Sequence, residues 1–314
     1  MKTLHNIKGY LMVITAAALW GLSGTAAQNL FQDAGVEIDW LVTVRLIVSG
    51  IIFLVMALLG KKRQMVFDVL KNKYSIFQFA IFGVIGMLGV QYTYFAAIDE
   101  GNAAVATLLQ YIAPIFILAY FLIFLRKIPS LFEIFAVFLT LLGTFLLLTN
   151  GSAENLTVSG MAVTWGIISA FSLAFYTLYS EKLVKQFDSI IVVGWGMLIG
   201  GVAISFLQSP FSVTISSWGI KEYLLIIFVI LFGTVIPFYL FIDSLRFVNS
   251  KITSLLSCTE PLSAVLASVL WLGVPFGIWQ AAGTLCIIAM VFLLTLKPKK
   301  SAADAVKKEA DIAT

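Results

Sequence analysis

The stretch Ser250–Leu272, SKITSLLSCTEPLSAVLASVLWL, is long and apolar enough to cross a lipid bilayer as a helix. It nevertheless carries an ionisable residue, Glu260, directly before Pro261 and deep within the apolar run. A charge at that depth is costly, and a proline leaves one backbone carbonyl without its helical partner. An earlier stretch, Asn102–Leu125, has the same layout without the acid. The two stretches predict a pair of interrupted helices that face one another.

The composition is that of an integral membrane protein. Of the 314 residues, 61% are hydrophobic and 11% are charged, and the mean hydropathy is +1.02. A soluble domain is usually about 45–50% apolar and about 25% charged. The apolar runs are continuous and lack the ten-residue alternation of a membrane barrel, so they predict helices.

Ten segments are apolar enough to span the bilayer, and we predict an all-α membrane protein of ten transmembrane helices. The predicted spans are Gly9–Leu30, Trp40–Leu59, Ser75–Ile98, Ala103–Leu125, Leu131–Thr149, Gly160–Tyr179, Ile190–Leu207, Tyr223–Leu245, Ile252–Leu272 and Phe276–Leu296. With this assignment, 18 of the 20 basic residues fall on one side of the membrane. The other side holds only Lys221, and Arg45 lies inside the second span. The positive-inside rule therefore predicts that both termini are cytoplasmic.

The chain also repeats itself. Pro114 and Pro261 are 147 residues apart, and at the same offset Tyr92 corresponds to Tyr239. We predict two five-helix repeats, residues 1–150 and 151–297, followed by a disordered cytoplasmic tail at residues 298–314. Because five is odd, the second repeat enters the membrane in the opposite direction, as in transporters whose binding site lies at the repeat interface. Chance similarity between apolar segments is the alternative explanation.

Four stretches carry a resemblance to a known family: AAALWGLSG (Ala16–Gly24), VRLIVSG (Val44–Gly50), LLQYIAPIFILAY (Leu108–Tyr120) and LLSCTEPLSAVLA (Leu255–Ala267). With ten spans and a 5+5 repeat, the chain resembles the drug/metabolite transporter superfamily, EamA type. The resemblance implies a pseudo-twofold axis in the membrane plane and a central cavity lined mainly by spans 1, 3, 4, 6, 8 and 9. Members of that family move amino acids, other metabolites or drugs, often outward.

Glu260 is the sharpest candidate for function. Helical spacing puts it on one face with Thr253 and Ser257, and such a polar face is expected to point into a cavity rather than to lipid. The carboxyl could take up and release a proton, or it could bind a substrate amine. The alternative is a structural acid that accepts hydrogen bonds near the Pro261 kink.

Arg45 lies about six residues into the second span, roughly 9 Å below the outer surface at 1.5 Å per residue. It could bind an anionic group such as a substrate carboxylate. We favour the other interpretation, in which the side chain snorkels outward to Asp39 or to the lipid headgroups.

Polar and aromatic side chains on several spans are candidates for substrate binding. They are Trp20, Gln91, Tyr92, Thr107, Gln110, Tyr111, Trp165, Tyr176, Tyr239, Ser254 and Ser257. As repeat mates, Tyr92 and Tyr239 are preferred for the cavity, because apolar pockets with a few polar groups suit small amphipathic ligands. Serine and threonine hydroxyls also bond to their own helix, and tyrosine and tryptophan also form interfacial belts.

The motifs favour a gradient-driven carrier in the cytoplasmic (inner) membrane. The sequence contains neither a nucleotide-binding G-x-x-x-x-G-K-[ST] motif nor the H-E-x-x-H or G-x-S-x-G motifs of enzymes, and its one histidine is His5. We expect export of amino acids or related amphipathic compounds, by proton antiport through Glu260 or by facilitated diffusion. No cofactor, metal or nucleic-acid partner is expected. A membrane receptor or scaffold without flux is the alternative.

Overall fold

The computed structural model describes residues 2–32, 34–100, 103–149, 151–152, 159–212, 218–263, 266 and 277–295. These residues form helices and short connections, and none of them lies in a β-strand. The predicted tail at residues 298–314 and part of the predicted ninth span lie outside the described residues.

The helices follow one another with two π-helical segments inserted. In chain order they are α1 (Lys2–Gln32), α2 (Ile38–Leu59), α3 (Arg63–Lys71), α4 (Lys73–Ile81), a π-helical segment (Phe82–Leu88), α5 (Gly89–Asp99), α6 (Ala103–Gln110), α7 (Ala113–Ile123), α8 (Leu131–Thr149), α9 (Gly160–Leu183), α10 (Ser189–Ser205), α11 (Ile220–Ile230), a second π-helical segment (Leu231–Val235), α12 (Ile236–Ser244), α13 (Ser250–Ser257) and α14 (Ile278–Thr295).

Six helical stretches of the described chain are long and apolar enough to cross a membrane: Asn6–Phe31, Ile38–Leu59, Lys73–Asp99, Ala106–Ile123, Gly160–Leu183 and Ile220–Ser244. Three shorter apolar helices accompany them: Leu131–Leu146, Ser189–Ser205 and Ile278–Met290. The protein is therefore an all-helical membrane protein with several spans. The total of ten spans and the cytoplasmic location of both termini remain predictions.

One short helix was not expected from the sequence. Arg63–Lys71 forms α3, which buries Val66 and Val69 and leaves Met65, Phe67 and Leu70 exposed. The indole N–H of Trp195 on α10 donates to the Val66 carbonyl at 3.1 Å. The nine residues of α3 are too few to span a membrane, and the hydrogen bond from Trp195 holds α3 against α10.

Two spans are interrupted at matching places. A turn at Tyr111–Ile112 separates α6 from α7, and a turn at Cys258–Thr259 separates α13 from the helical residues 260–263. The second turn lies 147 residues after the first, and each precedes a proline, Pro114 or Pro261. Because a proline nitrogen cannot donate a hydrogen bond, the helix lacks one backbone hydrogen bond at each place.

The π-helical segments also correspond. Residues 82–88 shifted by 147 become residues 229–235, which contain the second segment, Leu231–Val235. A π turn inserts one extra residue into a helix and is frequent at functional sites. The two halves of the described chain therefore share their backbone irregularities as well as their prolines.

The most extensive helix pairs are α2–α10, α8–α14, α5–α9 and α1–α12. At the α2–α10 contact, a Cβ added to Gly50 would lie 2.6 Å from the Leu198 nitrogen, and one added to Gly201 would lie 2.8 Å from the Ile47 nitrogen. The glycines thus let the two backbones touch. From Ile47 to Gly50 the residue numbers rise along α2, whereas their contact partners on α10 fall from Gly201 to Leu198, so the two helices are antiparallel.

Candidate functional site

A cavity of about 70 Å³ lies between the two helix breaks. Both halves of the chain contribute to its wall. The lining residues are Trp20, Ser23, Gly24, Arg45, Val90, Gln91, Tyr94, Phe95, Gln110, Tyr111, Leu173, Tyr176, Gly233, Phe238, Ser257 and Glu260. Of the residues predicted to bind substrate, it therefore brings together Trp20, Gln91, Gln110, Tyr111, Tyr176 and Ser257, with Glu260 and Arg45 beside them.

Glu260 connects the two breaks. Its side chain is buried, and its Oε2 accepts a hydrogen bond of 2.8 Å from the Tyr111 hydroxyl. The same hydroxyl lies 3.2 Å from the backbone carbonyl oxygen of Ser257. That carbonyl lies four residues before Pro261, so it is the one that lost its helical donor. The single hydrogen of this hydroxyl at the first break thus lies between the carboxyl and the freed carbonyl of the second break, with the shorter contact to the carboxyl.

Arg45 points inward, contrary to the snorkelling interpretation. The residue is only 4% exposed, and its Nε donates to Thr234 Oγ1 at 2.8 Å. Its Nη2 lies 3.4 Å from the Gly233 carbonyl oxygen, and the guanidinium sits 4.8 Å from the ring centre of Phe95. The second π-helical segment therefore holds the arginine of the first half, because its widened turn presents a carbonyl and a hydroxyl to the cavity.

Several polar atoms around the cavity have no hydrogen-bond partner among the described residues. They are Arg45 Nη1, both amide atoms of Gln91, Trp20 Nε1 and the Tyr176 hydroxyl. All of these atoms are buried, and Gln91 is 4% exposed. Buried polar groups in proteins are nearly always hydrogen-bonded, so these atoms around the cavity are candidates for hydrogen bonds to a ligand.

Other predicted polar residues are already bonded within the protein. The Gln110 amide donates to Ser169 Oγ at 2.7 Å, and Thr107 Oγ1 shares a 2.8 Å hydrogen bond with the Tyr94 hydroxyl. The Ser257 hydroxyl donates to the Ser254 carbonyl at 2.8 Å, which is the bonding to the same helix considered as the alternative. Thr107 and Ser254 are buried but do not line the cavity.

Three predicted aromatic residues lie away from this cavity. Tyr92 and Trp165 meet edge to face with ring centres 6.0 Å apart, and both line a separate pocket of about 630 Å³. Tyr239 packs against Phe53 at 6.2 Å. Neighbouring residues of a helix point about 100° apart, so Gln91 and Phe238 face the cavity while Tyr92 and Tyr239 turn away from it.

The separate pocket lies at the end of the bundle where α1 connects to α2. It is lined by apolar and aromatic side chains and by four acids, Glu37, Asp39, Asp99 and Glu100. Basic side chains are not part of this lining. This end of the described structure is therefore open and acidic.

Ion pairs join the halves at the opposite end. Lys62, which follows α2, contacts the Asp188 carboxylate at 2.8 Å, and Arg246 contacts it at 3.3 Å. Arg246 also lies 3.5 Å from Asp243. Partial burial would raise the pKa of Asp188, but hydrogen bonds from Lys62 and from the Ile190 N–H, with the charge of Arg246, outweigh burial and hold this pKa below its ordinary value.

Sequence reasoning missed several parts of the site. Phe95, Phe238 and Gly233 line the cavity, yet apolar residues and glycines inside spans carry no functional signal of their own. A signal did exist for Gly233, because it corresponds to Gly86 at the 147-residue offset. Among the described residues, no group of three or more histidine, cysteine, aspartate or glutamate side chains could hold a metal ion.

Comparisons with known proteins agree with this architecture. The EamA-like transporter family matches the chain twice, over residues 7–149 and residues 160–296, and the chain belongs to that family. It is 35% identical over 295 residues to the "Uncharacterized inner membrane transporter YicL" of Salmonella typhimurium, covering 94% of this chain and 97% of that protein. The "Uncharacterized transporter YxxF" of Bacillus subtilis is 24% identical over 222 residues, 69% of each chain.

A solved crystal structure shares the fold. It superimposes with a TM-score of 0.73 over 92% of this chain and 96% of its own length, at 18% sequence identity. The family is one of transporters, and the chain is a multi-pass membrane transporter.

Proposed function

We propose that the protein is a secondary transporter of the cytoplasmic membrane that moves small metabolites by alternating access around the central cavity. The hydrogen bond from Tyr111 to Glu260 carries this proposal, because it joins the two helix breaks across the cavity. Discontinuous helices at a repeat interface are where transporters bind their substrates. The inner-membrane location is supported by the name of YicL in Salmonella typhimurium.

The proposal includes an inverted 5+5 repeat with units at residues 1–150 and 151–297 and both termini in the cytoplasm. Antiparallel packing of α2 against α10 supports it, since these helices are the second spans of their respective halves. The two consecutive family matches and the matching breaks support the repeat itself. With this orientation the ion pairs of Asp188 lie on the cytoplasmic side and the acidic pocket opens outward.

Transport requires this conformation to change. The cavity volume of about 70 Å³ is well below the roughly 300–1,000 Å³ of typical ligand pockets. The ion pair between Lys62 of the first half and Asp188 of the second holds the cytoplasmic ends of the two halves together. We infer that a substrate enters from a state in which these halves have moved apart, with the helix breaks acting as hinges.

The substrates that we propose are amino acids or related amphipathic compounds, moved outward. Aromatic walls and a few convergent polar groups suit such ligands. Glu260 lies in the cavity wall, and Tyr111 is the one side chain among the described residues that donates a hydrogen bond to it. We therefore propose that Glu260 couples proton movement to substrate movement. Facilitated diffusion is the rival mechanism.

Counterflow in proteoliposomes tests the function. The purified protein is reconstituted, loaded with one unlabelled compound at a time, and assayed for uptake of the labelled compound, with amino acids and small organic cations as the panel and two pH gradients. Saturable uptake of one class is the expected result, and its response to the gradient separates antiport from facilitation. Lack of flux for every compound in a folded preparation would contradict the transporter and favour a receptor or scaffold.

A further inference from the structure

The central cavity contains a basic and an acidic side chain that form no ion pair with one another. Arg45 and Glu260 both line it, yet Arg45 forms no ion pair with any acidic side chain of the described chain. Burying a charge without a counter-charge in a membrane protein is costly, and such residues mark substrate or ion pathways. The cost is recovered when a ligand supplies the missing partner.

We propose that Arg45 and Gln91 form a carboxylate-binding subsite on the wall of the cavity to which Glu260 also contributes. Substrates would then be zwitterions, with the carboxylate on Arg45 and the ammonium group near Glu260. This inference rests on the proposed transport function, which it narrows to compounds that carry a carboxylate.

The guanidinium is positioned for such a ligand. Two of its nitrogens are fixed by Thr234 and Gly233 of the second π-helical segment, which leaves Nη1 as a donor without a partner among the described residues. Phe95 supports the plane of the group from one side. A guanidinium held in this way matches the two oxygens of a carboxylate better than an ammonium group would.

Gln91 supplies a second, neutral donor. It comes from α5, lines the same cavity, and is 4% exposed, and neither its Nε2 nor its Oε1 has a partner in the described structure. Because its amide forms no hydrogen bond within the described structure, Gln91 stabilises the fold no more than a leucine of similar size would. A ligand that accepts a hydrogen bond from this amide would offset the cost of burying it.

The opposite charge is already partly satisfied. Tyr111 donates to Oε2 of Glu260, so the remaining carboxylate oxygen is the one available to a cation. An ammonium group donates three hydrogen bonds and suits this acceptor. One arginine and one acid predict a ligand without net charge, which disfavours phosphate esters and other dianions.

Binding to the intact, detergent-solubilised transporter tests the subsite, with ligand-dependent shifts in melting temperature as the readout. The probes are L-leucine, its amide, isoamylamine and 4-methylpentanoate, and the corresponding four compounds built on L-phenylalanine. Within each set the compounds share one side chain and differ in the carboxylate and the ammonium group. We expect L-leucine and L-phenylalanine each to bind at least about tenfold more tightly than the corresponding amide. One charge-assisted hydrogen bond provides a ratio of dissociation constants of about this size.

Two substitutions then separate recognition from folding. Arg45→Met should reduce the acid-to-amide ratio to about one, and Gln91→Leu should lower it several-fold without lowering the melting temperature of the ligand-free protein. The second variant keeps the test readable if Arg45→Met fails to fold, because Gln91 holds no other residue. The matched control is Arg63→Met, which replaces an exposed arginine on α3 and should leave the acid-to-amide ratio unchanged.

Equal binding of acids and amides, an unchanged ratio in Gln91→Leu, or no binding of any carboxylate would each overturn the subsite. Saturable counterflow of amines or amides in that case would leave the transport function standing. If 4-methylpentanoate binds as tightly as leucine, the carboxylate subsite stands, but Glu260 does not bind the ammonium group of the ligand.

Discussion

The two helix breaks have the same geometry and different chemistry. At the first, Tyr111 and Ile112 precede Pro114, and at the second a turn 147 residues later precedes Pro261. The residue equivalent to Glu260 in the first half is Ala113, which is fully buried and apolar. A proline is enough to interrupt a helix in either half, whereas the carboxyl is present in one half only.

This difference indicates how a repeated fold produces an asymmetric site. The shared prolines and π-helical segments give each half a similar hinge, and the second hinge carries the acid. The first half supplies the hydrogen-bond donors for these features of the second half. Tyr111 donates to the carboxyl of Glu260, and Arg45 donates to the second π-helical segment. We therefore expect substitutions at equivalent positions to have similar effects on stability and different effects on transport.

The largest expected effect comes from Glu260→Gln. A glutamine still accepts the Tyr111 hydrogen bond, so the fold is retained, but it can no longer bind and release a proton. Transport driven by a pH gradient should be abolished while substrate exchange persists. Asp68→Asn, a carboxyl exposed on α3, is the control, and a pH response that survives in Glu260→Gln would exclude the proton role.

Tyr111→Phe should cost about 1.5–3 kcal/mol of unfolding free energy, since it removes a hydrogen bond to a buried ionisable group. Unfolding in mixed micelles measures this loss, with Tyr120→Phe, a half-exposed residue of α7, as the control. In the double variant with Glu260→Leu the two losses should be less than additive, because they remove the same interaction. Strict additivity would mean that the hydrogen bond between Tyr111 and Glu260 contributes nothing to the free energy of unfolding.

Gly50→Ala and Gly201→Ala should each cost about 1–3 kcal/mol, because an added methyl group meets the backbone of the facing helix. The two losses should agree closely, since Gly201 and Leu198 of α10 each lie 151 residues after Gly50 and Ile47 of α2, so the two contacts pair the same two positions of each half. Gly160→Ala, where a Cβ would meet no atom within 4 Å, is the control. A large difference between Gly50 and Gly201 would argue against the twofold relation between the halves.

The smallest effect is expected at the cytoplasmic ion pairs, where Asp188→Asn should cost below about 1 kcal/mol, because its partners are partly exposed. The folded-state pKa of Asp188 is lowered, so its contribution is present above the ordinary value near 3.9 and is lost as pH falls through the lowered folded-state value. Melting temperatures between pH 6 and pH 3 should therefore fall more steeply for the wild type than for Asp188→Asn. Parallel curves would contradict this contribution.

Some features of the site were readable from the sequence because they depend on residue type alone. An acid and a proline within an apolar run predict an interrupted helix with a polar face, and the structure places Glu260 beside such an interruption. The repeat spacing also predicted where the equivalent break falls. Apolar length and composition predicted helices that are long enough to span the bilayer.

The faces of the helices were harder to predict. Tyr92 and Tyr239 were preferred for the cavity, yet Gln91, Tyr94 and Phe238 line it instead. Each extra residue of a π turn rotates the helix that follows by about 100°, so a face extrapolated across Phe82–Leu88 or Leu231–Val235 is displaced. Nothing in the composition of these segments indicates a π turn.

By itself, the sequence determined the class of the protein, the apolar stretches, the repeated prolines and the presence of an acid deep within a span, because these depend on composition and spacing along the chain. Tertiary structure decided which side chains share the cavity. Arg45 illustrates the difference, because a long side chain in a span can turn outward to the lipid headgroups or inward to a partner. Its partners are Thr234 and Gly233, almost 190 residues away, and only the packing of the two halves brings them together.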